Sequence, residues 1–257
     1  MSFDVAAESY DQFMGAWSRP LSAQLADLAG VEPGQRVLDV GCGPGALTAE
    51  LVARLGAETV AAVDPSEPFV AAARERHAGV DVRQGSAEAL PHPDDVFDVA
   101  LAQLVVHFMT DPELGLREMA RVVRSGGIVA ASVWDHAGGK GPLGTFWDAA
   151  RALDPSVEDE SLLAGAREGH LVALFRAAGL RDVTGAVLVS QRAYGSFDEW
   201  WEPYLRGVGP AGAYVAGLEP DRRAALRERC RSMLPAGQFV LTARAWAARG
   251  VVDGGSR

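Results

Sequence analysis

At 257 residues, 48% of them hydrophobic, the chain is long for one average domain but ordinary for a single α/β domain with insertions, and it can fill a large core. Its formal net charge of −10 opposes attraction to phosphate backbones, and no stretch approaches the ~18 apolar residues of a membrane span, which sets nucleic-acid and membrane binding aside. Cys42 and Cys230 make no disulfide framework, and residues 1–13 show neither a basic start nor an apolar run, so a soluble, cytoplasmic protein is expected.

In chain order, residues 18–29 are expected as an N-terminal cap helix. A short apolar strand at 36–40 then runs into Gly41-Cys42-Gly43-Pro44-Gly45. Val37, Leu38 and Val40 suit a strand buried on both faces, and the three glycines allow backbone to turn sharply and approach a ligand. Residues 46–55 carry apolar side chains at helical spacing, so the turn opens a helix whose first amides face that ligand. A second apolar strand, 59–63, ends at Asp64, where a carboxylate can take both hydroxyls of an adenosine ribose as donors. The dinucleotide fingerprint prefers G-x-G-x-x-G over a pyrophosphate; G-x-G-x-G with Pro44 inside it favours a ligand without one. Cys42 reads as a small apolar filler of the turn rather than a nucleophile.

Further strands are expected at 80–84, 96–101, 128–133, 181–192 and 238–247, with helices at 67–76, 112–123 and 168–178. Alternating strands and helices imply a parallel sheet covered on both faces, with ligands at the carboxyl ends of its strands. One domain is expected over residues 1–257: a cap (1–30), a cofactor-binding core (31–134) and two lid or substrate-binding insertions (135–167 and 194–235). The insertions are rich in aromatic residues. Trp134, His136, Trp147, Trp200, Trp201 and Tyr204 form either the wall of an apolar substrate pocket or the packing core of the lid. The arginines at 222, 223, 227, 229 and 231 are interleaved with Glu219, Asp221 and Glu228 and read as a solvated helix face. No residues are spaced as metal ligands.

The acid Asp39 followed by G-x-G-x-G resembles the first motif of the class I S-adenosylmethionine-dependent methyltransferases. Residues 84–91 (Gln-Gly-Ser-Ala-Glu-Ala-Leu-Pro), the stretch 97–109, and 116–134 with Ser125-Gly126-Gly127 resemble that family's later segments. So do Tyr10-Asp11-Gln12-Phe13-Met14 and Trp17-Ser18-Arg19-Pro20, which are similar to its N-terminal cap. The resemblance covers about the first 135 residues. It implies a Rossmann-like, seven-stranded, mostly parallel sheet with helices on both faces, lid insertions and a last strand running antiparallel.

It also implies S-adenosyl-L-methionine as cofactor, leaving S-adenosyl-L-homocysteine, and transfer of a methyl group to an oxygen, nitrogen or carbon of a small, aromatic or natural-product-like acceptor. Gly41, Gly43 and Gly45 are then the backbone cradle, Asp39 orients the methionine end, and Asp64 with Pro65 holds the ribose. Ala87 or Glu88 contacts the adenine, and Gln103 and Leu104 lie beneath the sulfonium. Tyr10, Phe13, Met14 and Arg19 close the site, with Arg19 on the methionine carboxylate or in a surface ion pair. His107, just past the fourth strand, is the candidate base for an acidic acceptor, or a packing residue. His136 is a second candidate, and His170 is structural. A monomer or homodimer is expected. Two other readings stay open: a protein that binds this cofactor for a cyclisation or a regulatory role, and a nicotinamide-dependent oxidoreductase, which Pro44 and the glycine spacing oppose.

Overall fold

A computed structural model describes residues 11–254. One seven-stranded sheet has the order β3-β2-β1-β4-β5-β7-β6. Its strands are β1 (Val37–Val40), β2 (Val60–Asp64), β3 (Asp81–Gln84), β4 (Phe97–Gln103), β5 (Val123–Trp134), β6 (Arg181–Tyr194) and β7 (Phe239–Val251). The first five are parallel, and β7 lies antiparallel between β5 and β6. Because β1 pairs with β2 on one side and with β4 on the other, the chain reverses its direction of winding at β1. In sheets wound this way, such a reversal leaves a crevice at the carboxyl ends of the strands.

Alternation along the strands explains the two-faced core. Val37, Val60, Val99 and Leu101 face one side, while Leu38, Val63, Ala100 and Val129 face the other, as a period of two requires. The first face is covered by α1 (Ala16–Ala29), α2 (Ala46–Leu55) and the insertion helices α5 (Gly144–Leu153), α8 (Gly209–Gly217) and α9 (Pro220–Met233). The second is covered by α4 (Pro112–Val122) and α6 (His170–Ala177). At the β3 edge, α3 (Glu67–Arg76) packs Val70 and Ala73 on Ala62 and Val82. The short α7 (Phe197–Trp201) begins the second insertion.

Helix α1 starts two residues before the expected position, after a π-turn over Asp11–Gly15. It stops at Gly30, whose φ of 69° lets its amide reach Asp27 O (3.0 Å) and lets the Val31 amide reach Ala26 O (3.0 Å). β5 departs from its expected span. Ser125-Gly126-Gly127, which precedes the expected span of 128–133, is part of the strand, tied to Val252 by bonds from the Gly126 amide and to the Gly127 carbonyl (3.0 and 2.9 Å). β6 and β7 also outrun their expected spans. Gln191–Tyr194 pairs with Phe239–Thr242 beyond the last β5 partner, Trp134 opposite Ala245, so the two strands project as a ribbon that carries the second insertion.

The arginines of α9 are mostly paired. Arg227 and Arg231 both reach Asp198 Oδ1 (2.6 and 3.3 Å), and Arg231 lies 4.3 Å over the Phe197 ring. Leu226 and Cys230 supply the buried side of that helix. No helix among the described residues is long and apolar enough to cross a membrane.

Candidate active site

The site begins where β1 ends. The Gly41 and Cys42 amides both donate to Val63 O (2.7 and 3.0 Å), which folds the turn over the end of β2. Gly41 has φ 71°, and a Cβ there would stand 2.5 Å from Val105 Cγ2; Gly45, at φ 97°, caps α2 and has the His77 ring against it. Beside Gly43 a Cβ would meet nothing within 4 Å, so the middle of the cradle is open. Cys42 is buried, its thiol pushed well up by burial and then by the charges of Asp39 and Asp64, in keeping with a filler.

Two buried acids frame the turn. Asp39, 1% exposed, accepts from Thr48 Oγ1 at 2.6 Å. Burial raises its pKa to about 7, with the Thr48 bond opposing and Asp64 adding to the rise. Asp64 accepts from the Gly43 amide (2.8 Å) through one oxygen and from the Ser66 amide (2.9 Å) through the other. It therefore joins the glycine turn to the start of α3, and burial raises its pKa against those two bonds. Pro65 is exposed, and its carbonyl accepts from Gln84 Nε2 (3.1 Å).

Past β3, Ala87 is buried and Glu88 half-buried. Glu88 accepts from Ser86 Oγ through one oxygen and from the Thr110 amide (2.8 Å) through the other. Burial raises its carboxyl, but these bonds outweigh it and hold the pKa below the ordinary value. Its side chain thus fastens the loop after β3 to the loop before α4.

At the end of β4, Gln103 donates to Ser18 O (3.1 Å), locking α1 onto the sheet, while its Oε1 is buried with no partner. Leu104 follows at φ 62°, a strained conformation for a branched residue, held by its amide bond to Ser132 O (2.8 Å). Arg19 is exposed on α1. Tyr10 lies outside the described residues.

A cavity of about 40 Å³ lies next to Leu104. Met14 and Phe13 bound it from the N-terminal segment, Trp134 and His136 from the end of β5, and residues 208–211 from the second insertion. His107 also lines it, on the short 3-10 turn Val106–Phe108. That ring is 6% exposed, with Nδ1 unpartnered, and burial, then the neighbouring His136, holds its pKa well below the ordinary value. The third polar group, Glu160, was not singled out from sequence. It stands in the acidic run 158–160, and nothing in that run distinguishes the one acid that turns inward to 5% exposure.

Trp147 does not line this cavity; its Nε1 donates to Glu160 Oε2 (3.0 Å) from behind. Nor do Trp200, Trp201 and Tyr204. They pack against one another and against Phe146 and Phe197, with Tyr204 stacked on Phe146 at 4.6 Å. His170 caps its own loop, accepting from the Gly165 amide (3.2 Å).

An open glycine cradle, two buried acids on either side of it and an orphaned amide oxygen at Gln103 suit a cationic nucleoside. Residues 38–131 match the family model of the methyltransferase domain. The malonyl-[acyl-carrier protein] O-methyltransferase of Salmonella typhimurium is 34% identical over 229 residues, covering 88% of this chain and 85% of that protein. The chain is a class I S-adenosylmethionine-dependent methyltransferase.

A second relative of this methyltransferase covers less. A 2-methyl-6-phytyl-1,4-hydroquinone methyltransferase of Oryza sativa is 34% identical over 150 residues, 58% of this chain and 39% of that protein. Among solved structures, a possible histamine N-methyltransferase from Thermotoga maritima shares the fold, with a TM-score of 0.57 at 21% identity over 96% of each chain. The family match runs from β1 into β5 and ends before Trp134. Trp134, His136, Glu160 and residues 208–211, which complete the cavity, lie outside it.

Proposed function

We propose that this methyltransferase moves the methyl group of S-adenosylmethionine onto a small organic acceptor whose reacting edge enters the cavity at the carboxyl ends of β4 and β5. The observation that carries this reading is the position of the cavity. It touches Leu104, directly after the strand beside the glycine turn, and is apolar apart from His107, His136 and Glu160 among the described residues. The aromatic walls at Phe13, Phe108 and Trp134 suit a flat acceptor.

The cofactor supplies an electrophilic methyl group, so the chain's task is positioning and exclusion of water. Gly41, Gly43 and Gly45 form the cradle, and Asp39 lies beneath it to favour a positive charge. Asp64 turns toward the ribose hydroxyls while holding the Gly43 amide in place. Ala87 supplies an apolar side to the adenine, with Glu88 fixing the loop that carries it rather than reaching the base itself. Gln103 offers its unpartnered Oε1, and the strained Leu104 sets the floor between cofactor and acceptor. Met14 covers the cavity from above. The relatives' names include an O-methyltransferase and a hydroquinone methyltransferase, which supports small organic acceptors without choosing among them.

Calorimetry with S-adenosylmethionine, S-adenosylhomocysteine and NADH tests the cofactor half of this reading. Binding of the first two and none of NADH is expected. A labelled-methyl screen of small aromatic acceptors then tests the other half, and labelling of none while bulk protein or RNA is labelled would refute it.

A further inference from the structure

The acceptor cavity and a second, smaller cleft share a wall made by two residues, His136 and Glu160. On the far side that cleft is bordered by Arg151, Asp159 and Ser161. Both wall residues are nearly closed off from solvent, their side chains 5% and 6% exposed. His136 is placed by the end of β5, its amide bonded to Trp134 O at 2.8 Å. Glu160 comes from the short 3-10 turn Glu160–Leu162, which Asp159 caps by accepting from the Ser161 amide (2.9 Å).

The two nitrogens of His136 have different surroundings. Nδ1 lies 3.9 Å from Glu160 Oε2, and that oxygen is pinned by the Trp147 indole N–H at 3.0 Å. Nε2, across Cε1 from it, is buried with no hydrogen-bond partner. A buried polar atom without a partner is costly, and a ligand's polar group can satisfy it. A carboxylate beside Nδ1 favours the proton on that nitrogen and leaves the lone pair on Nε2.

We propose that His136 and Glu160 work as a dyad on the acceptor: Glu160 holds the His136 ring with its proton on Nδ1, and Nε2 takes the proton of a phenol or enol hydroxyl as that oxygen is methylated. This rests on the acceptor cavity of the proposed function. The acceptor O–H bond breaks and its proton forms the new N–H bond at Nε2. The oxygen's freed electron pair forms the bond to the methyl carbon, and the carbon–sulfur pair stays on sulfur. Positive charge leaves sulfur as it arises on the imidazole, so the net charge of the site is unchanged, and the proton passes to water after the product leaves. His136 is the catalytic residue of this step and Glu160 a positioning residue.

The surroundings select the acceptor class. The charged and titratable neighbours are His107, with ring centroids 5.6 Å apart, Glu160, and the Arg151–Asp159 ion pair across the cleft. No arginine or lysine among the described residues lines the acceptor cavity. A free carboxylate would face Glu160 with no cation to balance it, whereas a neutral hydroxyl brings no charge. Burial lowers the His136 pKa to about 4, so the ring is neutral and able to accept at neutral pH. It is then a base for hydroxyls that are already acidic, not for alkanols.

Nitrogen-15 NMR of the full chain labelled at histidine tests this directly. The expected spectrum shows His136 as the Nδ1–H tautomer. Phenol should shift its Nε2 signal and anisole, which lacks the proton, should not. Glu160→Met should move the tautomer toward Nε2–H, while Glu160→Gln, which keeps an oxygen for Nδ1, should preserve it; unchanged affinity for S-adenosylmethionine in calorimetry shows that both variants are folded. An Nε2–H tautomer in the unsubstituted protein, an unmoved tautomer in Glu160→Met, or equal shifts with phenol and anisole overturns the dyad. Loss of S-adenosylmethionine binding in the unsubstituted protein would instead overturn the proposed function, and the tautomer would still be read.

Discussion

The imidazole of His77, the residue that caps the end of α3, lies against Gly45, its Nε2 donating to the Gly45 carbonyl at 3.1 Å in the space that a Cβ on Gly45 would occupy. Two demands therefore fall on Gly45: a φ of 97° and room for a ring. The Gly45→Ala variant is expected to lose about 1–3 kcal/mol from the backbone conformation alone, plus the overlap with His77. In urea denaturation, Gly45→Ala combined with His77→Ala should recover the overlap part and keep the backbone part. Additive losses from the two substitutions would show that the ring and the glycine are not coupled.

Asp39 makes stability depend on pH. Its folded pKa of about 7 lies above the unfolded value of 3.8, so the folded state binds the proton more tightly. That contribution is fully present below pH 3.8 and is lost as pH rises through 7, to the extent of about 4 kcal/mol. The Asp39→Asn variant removes the titration, so its stability relative to the parent should rise between pH 4 and 8. Denaturation midpoints across that range check the sign; parallel curves would mean that Asp39 is ionised throughout.

Asp64 holds two backbone amides, those of Gly43 and Ser66. In Asp64→Ala both lose their partner, and S-adenosylmethionine binding should weaken by at least about tenfold, or ~1.4 kcal/mol. The Asn variant can keep one acceptor oxygen and should fall between. Calorimetry giving the parent affinity for Asp64→Ala would remove this carboxylate from the cofactor site.

The aromatic cluster of the second insertion predicts a stability effect in place of a specificity effect. Tyr204 is 2% exposed, stacked on Phe146 at 4.6 Å, with Trp200 tilted against it at 4.9 Å. Truncation in Tyr204→Ala should cost about 3–5 kcal/mol, as for other buried aromatic residues. Thermal unfolding measures the loss. A changed choice of acceptor at undiminished stability would return Tyr204 to the substrate wall.

What the sequence determined by itself were features fixed over short stretches. Val37–Val40 can only be a strand buried on both faces, the glycines after it must turn, and residues 46–55 have one apolar helical face; these local rules set the order of strands and helices and put the glycine turn and Asp64 at the carboxyl ends of β1 and β2. The same reasoning brought His107, Trp134 and His136 to the carboxyl ends of β4 and β5, where the cavity lies. It could not separate Trp134 from Trp200, since both are aromatic residues in or beside an insertion and only packing decides which of them meets the cavity. Nor could it single out Glu160 from Glu158 and Asp159. Glu160 is inward-facing because a 3-10 turn begins at that position and because the Trp147 indole, from a different helix, supplies the hydrogen bond that makes a buried carboxylate tolerable. Residue type and spacing set secondary structure; the direction of a loop side chain depends on partners distant in sequence, and those exist only once the chain is folded.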